Sequence, residues 1–562
     1  MSTNNNEDNN SGDNPCPKLP WMIDFHSKNE KLLNGQWSAA YADNKLEHLC
    51  KLSLDSDPLR CRMTKIMCTI GPSCFDMKTM INLMKAGVNI FRIKMSHTTV
   101  EFAQELVQNI RTARDKYSQQ RGYMYNIAIC FDLEGPGFYT GNLEDSTSYQ
   151  LELREGFHTV LTGNKMFKEF VNEDVIYVSC DLVQEVVKPG DKVYLEHGAI
   201  VLEVLEIDRG EVKCIVRQGG YLTSKSTVDI PGIPIMTDTV TEKDVLTLQL
   251  AVQLKIDSVV LSEVRNSQVI IDVRTLLADI PGGVGMVLIP KIDFAANIDE
   301  FDKILELSDG IYFSRERLRI EITSEKLTIV QKMVIAKCNK AGKPICCASS
   351  LLESMITLSR PLKAELTDVA NAVMDGADCL VLSRETSIGD SPTSAVKILS
   401  GLALEAESAV YAREVFQNLI SNYETPVEPE KALAFSAINL SMRCYAAAII
   451  VCTVSGKSAR LLSRYRPRCP IIAVTRYANV AQRLNMWRGV LPFLYFKRPI
   501  CNWKKDLDTR IQVGMTYAKL NGIVRAGDAV VVVKALRLGS GFTNSMQIVY
   551  ASEFDALPPD KP

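Results

Sequence analysis

The sequence predicts an α/β protein built on a (β/α)8 barrel, the TIM architecture, with a small inserted β-barrel lid domain and a separate C-terminal α/β domain. Three observations predict it. Eight short β-rich runs alternate with amphipathic helical stretches, the signature of a parallel sheet, and eight is the number that closes such a barrel. About a hundred residues rich in short alternating pieces separate the third run from the fourth, too long for an unstructured loop. Polar and charged residues follow the runs almost without exception, where the catalytic face of such a barrel lies.

In chain order, residues 1 to about 20 are rich in Asn, Asp, Ser, Gly and Pro and cannot bury enough apolar surface to offset ordering entropy, so a disordered tail is expected within residues 1–63. A lead-in helix completes that segment. The barrel runs are Lys65 to Ile70, Asn89 to Ile93, Ile127 to Phe131, Ser258 to Leu261, Met286 to Ile289, Gly310 to Phe313, Ile345 to Ala348 and Cys379 to Leu382. Between them Glu325 to Lys340 reads as a helix, with Leu327, Val330, Val334 and Cys338 on one face and Gly342 as its stop. The barrel therefore takes residues 64–136 and 239–409, and the lid 137–238, with pieces such as Lys192-Val-Tyr-Leu-Glu and Val212-Lys-Cys-Ile-Val. After helices reaching about Tyr423, a Pro/Glu stretch at Pro426 to Pro429 leads into the runs Ala448 to Cys452, Ile471 to Val474, Ala529 to Val533 and Gln547 to Tyr550, giving a C-terminal domain over 410–562.

Bulk composition excludes several classes. The 562 residues are 46% apolar and 23% charged, ordinary for soluble domains. Lys plus Arg (64) nearly balance Asp plus Glu (66), so no broad field invites nucleic acid or an acidic membrane. Sixteen cysteines without a Cys-x-x-Cys pair, and five histidines, support neither a zinc ribbon nor a disulfide framework. The N-terminus lacks an apolar signal region and no run is long enough to cross a bilayer, so a cytoplasmic protein is expected.

The residues following the barrel runs are Arg92, Lys94 and Ser96; Asp132 and Glu134; Ser262 and Glu263; Lys291 and Asp293; Ser314, Arg315 and Arg317; Ser349 and Ser350; Ser383, Arg384 and Glu385. Any one of them alone reads as an exposed loop residue. Convergence from seven strands makes the set a site. A lysine, paired carboxylates for a metal and arginines for a phosphate describe metal-assisted phosphoryl or enolate chemistry.

Several stretches carry a closer resemblance: Thr64-Lys-Ile-Met-Cys-Thr-Ile-Gly-Pro-Ser, Leu288-Ile-Pro-Lys-Ile, Lys340-Ala-Gly-Lys-Pro-Ile, Leu352-Glu-Ser-Met, Thr367-Asp-Val-Ala-Asn-Ala-Val-Met-Asp-Gly-Ala-Asp-Cys and Arg464-Tyr-Arg-Pro-Arg-Cys-Pro-Ile-Ile-Ala-Val-Thr-Arg. From Thr64 onward the chain resembles pyruvate kinase. The resemblance implies a homotetramer that moves a phosphoryl group from phosphoenolpyruvate to ADP, giving pyruvate and ATP, with Mg²⁺ and K⁺. It implies catalytic roles for Lys291, Arg92 and Ser349, an Mg²⁺ ligand at Asp293, a K⁺ site at Ser96 and Asp132, and substrate or nucleotide contacts at His97, Lys225, Ser262 and Glu385.

The departures from that pattern are concentrated. Asp293 stands for a metal-binding glutamate, and Arg317 for the second metal-binding aspartate; a guanidinium has only donors and cannot ligate a cation. Glu316 replaces a glycine whose amide meets the substrate carboxylate. In Asp132-Leu-Glu-Gly-Pro-Gly-Phe-Tyr-Thr-Gly, Glu134 stands for a lysine, Gly137 for a glutamate and Tyr139 for a phosphate-contacting arginine. Lys94 stands for a K⁺-ligating asparagine and makes K⁺ unnecessary if its ammonium fills that position, while Lys225-Ser226 replaces a Lys-Lys pair. The expectation is a pyruvate kinase-like protein whose catalysis is weak or lost. Alternatives are a silent, effector-binding subunit in homo- or mixed tetramers, rescue of metal binding by Glu316, and imine chemistry at Lys291.

A second site is expected in the C-terminal domain. Thr453-Val-Ser-Gly-Lys-Ser458 follows a β run and precedes a helix read over Ala459 to Arg464, a setting that suits phosphate. It lacks the first glycine of a Walker loop. The resemblance implies an effector site for fructose 1,6-bisphosphate made of Thr453, Ser455, Gly456, Lys457 and Ser458 with Trp503, Arg510 and the loop Gly539, Ser540, Gly541, Phe542 and Thr543.

Overall fold

The computed structural model describes residues 35–144, 150–180, 183–208, 211–231, 240–421, 426–537 and 543–552. The tail expected over residues 1 to about 20 lies outside them. The lead-in is two short helices, Trp37–Ala40 and Lys45–Cys50, the second capped by Asn44, whose side chain accepts the Glu47 amide at 2.9 Å.

Eight parallel strands close the predicted barrel in sequence order: β1 Lys65–Thr69, β2 Ile90–Lys94, β3 Ala128–Asp132, β4 Ser258–Leu261, β5 Val287–Ile292, β6 Ile311–Ser314, β7 Ile345–Ala348 and β8 Cys379–Leu382. Each is buried on both faces, which is why the runs read as nearly continuous apolar segments. The period of two sorts their side chains into two cores. Ile66, Phe91, Ile129, Val259, Leu288, Phe313 and Leu380 face outward to the helices. Met67, Ile90, Cys130, Val260, Ile289, Tyr312, Cys346 and Cys379 fill the barrel interior. The helix expected over Glu325 to Lys340 spans Ser324–Ala341 and stops at Gly342, whose φ of 74° suits the left-handed cap.

Between β3 and β4, strands 138–139, 227–229, 192–195, 200–208, 211–218, 158–162 and 175–177 form one sheet in that spatial order. All neighbours in it are antiparallel except the last pair. This inserted sheet has its own core around Leu161, Ile176, Leu202 and Val216, and its strand 227–229 returns the chain to the barrel mouth.

The C-terminal sheet contains β9 Ala448–Cys452, β10 Ile471–Thr475, β11 Val490–Leu494, β12 Ala529–Lys534 and β13 Ser545–Tyr550, in spatial order β11-β10-β9-β12-β13 with only β13 antiparallel among the described residues. Strand β11 is absent from the sequence reading. Pro492 within it argues against a central strand, and β11 lies at the sheet edge, where the missing amide costs no ladder bond.

The base of the barrel packs on this sheet. Buried Lys65 donates from Nζ to the Val490 carbonyl, Asn485 and Asn126 exchange bonds with the backbone of the opposite unit at 2.8 and 2.9 Å, and Arg466 meets Asp378 at 2.8 Å. Nearby, the Asp257 carboxylate accepts the Ile129 amide at 2.8 Å, and burial, only partly offset by Arg483, Arg111 and Arg114, pushes its carboxyl up to about 7. The folded chain therefore holds that proton more tightly than the unfolded chain. Its contribution favours folding at low pH and is lost as pH rises from the ordinary 3.8 through about 7. Asp257→Asn should gain melting temperature relative to the parent protein between pH 5 and 8, read by thermal melts at each pH; a pH-independent difference would refute the shift.

Candidate active site at the barrel mouth

The C-terminal ends of the strands bring most of the predicted residues together. Arg92 in β2 is 4% exposed and grips Asp132 of β3, with Nε at 3.0 Å from Oδ2 and a second, closer contact from the terminal nitrogen. Arg92 also reaches Thr69 Oγ1 at 3.0 Å and Ser383 Oγ at 3.2 Å, and lies over the Tyr312 ring at 5.2 Å. Ser262 donates to the other oxygen of Asp132 at 3.0 Å. Burial works to raise the Asp132 carboxyl, but Arg92 and Lys291 outweigh it and hold it below its ordinary range. Asp132 is thus an anion already matched by protein groups.

Lys94 points into the same mouth, and burial with the like charges of Arg92 and Lys291 pushes its ammonium down to about 8. Ser96 is buried and its hydroxyl finds no hydrogen-bond partner among the described residues. Lys291 lies 3.3 Å from Asp293, whose side chain is fully buried and whose oxygens accept no hydrogen bond among the described residues. Burial tends to lower Lys291, yet Asp293 and Asp132 overcome this and raise it, so Lys291 stays a cation. Ser349, at the end of β7, is buried with φ at 50°, a strained conformation for a serine, and its carbonyl accepts Arg315 Nε at 2.7 Å. Arg315 in turn clamps Asp368 with two bonds of 2.8 and 2.7 Å.

The other expected contacts lie around the same mouth. Glu385 is 4% exposed and accepts the Ser383 amide at 2.7 Å, fastening the start of its own helix. Lys225 is exposed, with φ at 56° and its amide bound to the Gly141 carbonyl at 3.0 Å. Ser226 beside it is tied inward to Glu196 at 2.6 Å. His97 sits on the turn Met95–His97 after β2.

The decisive arrangement surrounds Arg317. This side chain, 5% exposed in the helix Arg315–Glu321 that follows β6, brings Nε within 2.8 Å of Asp229 Oδ1 as an ion pair, donates from a terminal nitrogen to Glu263, and stacks over Phe294 at 5.1 Å. Sequence reasoning placed Glu263 on the mouth without a role and missed Asp229 altogether. A signal for the first was available: a Cβ at Gly137 would fall 2.9 Å from Glu263 Oε1, so the glycine at 137 makes room for the glutamate at 263. Tyr139 lies in the same cluster, its hydroxyl donating to the Glu134 carbonyl at 3.0 Å. A neutral phenol there adds no second cation beside Arg317.

These residues do not fit a divalent cation. Arg317 pairs with one oxygen each of Asp229 and Glu263, Asp293 faces both Lys291 and Arg317, and no group of three metal-ligating side chains stands together among the described residues. Glu316 bears electrostatically on Lys94 and Lys291, placing its charge among cations.

In the C-terminal unit, the predicted helix begins two residues early, at Lys457, with Gly456 at φ 80° as its N-cap. Thr453 Oγ1 accepts the Gly456 amide at 2.9 Å, Ser455 Oγ accepts the Lys457 amide at 3.4 Å, and Lys457 pairs with Glu430. Ser458 contacts Thr543, bringing the two predicted loops together; Gly539, Ser540, Gly541 and Phe542 lie outside the described residues. Arg510 is buried, held by Asp506 at 3.1 Å and stacked on Trp503 at 5.1 Å, and the buried Trp503 Nε1 has no hydrogen-bond partner among the described residues.

Comparison with known proteins agrees with this architecture. The family described as pyruvate kinase, barrel domain, matches residues 61–396, and pyruvate kinase, alpha/beta domain, matches residues 431–549. A Homo sapiens protein named pyruvate kinase PKLR is 41% identical over 517 residues, covering 92% of this chain and 90% of its own length. Pyruvate kinase of Candida albicans is 32% identical, covering 90% of this chain and 99% of its own. Pyruvate kinase 1 of Trypanosoma brucei brucei is 33% identical with the same coverage.

Proposed function

Because the chain belongs to the pyruvate kinase family, we propose that it is a member in which phosphoryl transfer between phosphoenolpyruvate and ADP is severely weakened or lost. The observation that carries this reading is the position of Arg317, a fixed cation seated among Asp229, Glu263 and Asp293 where the family's chemistry calls for Mg²⁺. The remaining machinery is that of a site that binds and orients. Lys291 and Arg92 keep positive charge at the mouth, Ser349 keeps a hydroxyl, and Lys94 brings an ammonium next to the Asp132 and Ser96 positions in place of K⁺. Glu316 sets a negative charge near the same cations and opposes an anionic substrate. An imine role for Lys291 is disfavoured, since the groups around it keep the amine protonated and therefore non-nucleophilic. The test is turnover of the isolated protein with Mg²⁺ or Mn²⁺ in a coupled assay.

A second reading follows from the C-terminal loops. A cytoplasmic subunit that retains an effector site and assembles as a homotetramer or with active subunits is consistent with the contact between Ser458 and Thr543, which joins the two loops a sugar bisphosphate would bridge. Among the described residues no helix is long and apolar enough to cross a membrane. Calorimetry with fructose 1,6-bisphosphate should give heat with the parent protein and much less with Lys457→Ala. Absence of heat in both would remove the effector site. Lys457 must leave Glu430 to meet a phosphate, and a lysine offers one point charge where an arginine offers a fork, so affinity should be modest.

A further inference from the structure

Asp229 ends the strand 227–229 of the inserted sheet, whereas Glu263 follows β4 and Arg317 follows β6. The Arg317 guanidinium therefore joins two separate units of the chain. We propose that Arg317 is a built-in latch that holds the inserted sheet closed over the barrel mouth without metal or nucleotide, by clamping Asp229 of the sheet to Glu263 of the barrel. The inference rests on the reading that Arg317 has taken the place of the metal.

The local geometry favours a latch over incidental pairing. Arg317 and Glu263 are 5% and 4% exposed, so opening separates Asp229 from a guanidinium in a poorly screened setting. Phe294 holds that guanidinium in place from one face at 5.1 Å and the Arg265 guanidinium from its own side at 4.4 Å. A cavity of about 700 Å³ bounded by Phe138, Asp229, Glu263, Phe294 and Arg317 lies between the two units, so close apolar packing is interrupted at this point and the ion pair spans it. Two further contacts flank it: Tyr139 of the inserted sheet donates to the Glu134 carbonyl at 3.0 Å, and Gly198, in the turn Glu196–Gly198, approaches Ile320 of the helix carrying Arg317 so closely that an added Cβ would stand 3.2 Å from it. Opposite charges face one another here: Arg317, Arg265 and Lys291 oppose Asp229, Glu263 and Asp293, with Glu321 also on the cavity wall.

Small-angle scattering and hydrogen exchange on the full chain test this without recourse to turnover. The parent protein should give the same compact scattering profile in EDTA and in Mg²⁺. Asp229→Asn, which leaves the Arg317–Glu263 pair intact, should enlarge the radius of gyration and speed exchange at the turn Glu196–Gly198 and the helix Arg315–Glu321 by about tenfold or more, with β4 to β6 unchanged. Arg317→Met should do the same, and if it does not fold, Asp229→Asn decides alone. A parent protein that is as open as Asp229→Asn, or that closes only when Mg²⁺ is added, overturns the latch. Measurable turnover together with a closed parent profile would instead refute the proposed loss of catalysis while leaving the latch standing.

Discussion

Supplied with phosphoenolpyruvate, ADP and Mg²⁺, the isolated protein is expected to turn over about 10⁵- to 10⁷-fold more slowly than an ordinary kinase, whose rate is about 1 to 100 per second. Two losses compose that figure. A catalytic divalent ion supplies several kcal/mol of charge stabilisation, and an arginine that meets the transferring phosphoryl group supplies about 10³ to 10⁵ in rate. On the proposed reading Arg317 stands in place of the first and Tyr139, whose hydroxyl donates to the Glu134 carbonyl, in place of the second. Residues that act as one unit are not additive, so the lower end of the range is the firmer expectation. A coupled assay across Mg²⁺ and Mn²⁺ concentrations measures it, and a rate within the ordinary range would end the inactive reading.

The largest stability effect is expected from reversing Arg317 alone. Arg317→Asp leaves Asp229, Glu263, Asp293 and the new carboxylate together with only Lys291 and Arg265 nearby, and removing one partner of a buried pair costs about 3–5 kcal/mol. Differential scanning fluorimetry should show a marked fall in the barrel transition. Adding Glu263→Gln removes one of the stranded charges and should recover part of the loss, as should Mg²⁺, because the vacated carboxylates become an ordinary oxygen-donor set. For the same reason restoration of activity requires more than Arg317→Asp with Glu316→Gly; Glu263 must change with them. If Arg317→Asp melts like the parent protein in EDTA, the cluster contributes nothing to stability and its description as a matched ion pair fails.

The barrel was legible because its signals are local and repeated. Runs such as 259–261 and Ile345–Ala348 are short, β-branched or apolar throughout, and bounded by polar or turn residues, so strand identity follows from composition within a few positions. Strand β11 was not legible, since Pro492 is a negative signal whose force depends on whether the strand is central or at an edge, and the neighbours that decide it come from distant sequence. Among site residues, the seven-strand convergence identified the mouth, and the family pattern marked Arg317 as a substitution of a metal ligand. What Arg317 does instead lay beyond either signal.

The amino-acid sequence by itself determined the architecture and the ring of polar residues at the strand ends, because periodicity and residue chemistry are carried by each segment alone, while the reading of Arg317 as standing for a carboxylate came from the family resemblance. Only the tertiary structure decided that Glu263 and Asp229 receive the Arg317 guanidinium, that Gly137 yields the space for Glu263, and that Ser226 bonds Glu196 while Glu385 bonds the Ser383 amide. Those facts join residues from two units of the chain, as with Asp229 and Arg317, and a buried charge finds its partner by distance through space, a quantity that no local pattern of residues encodes.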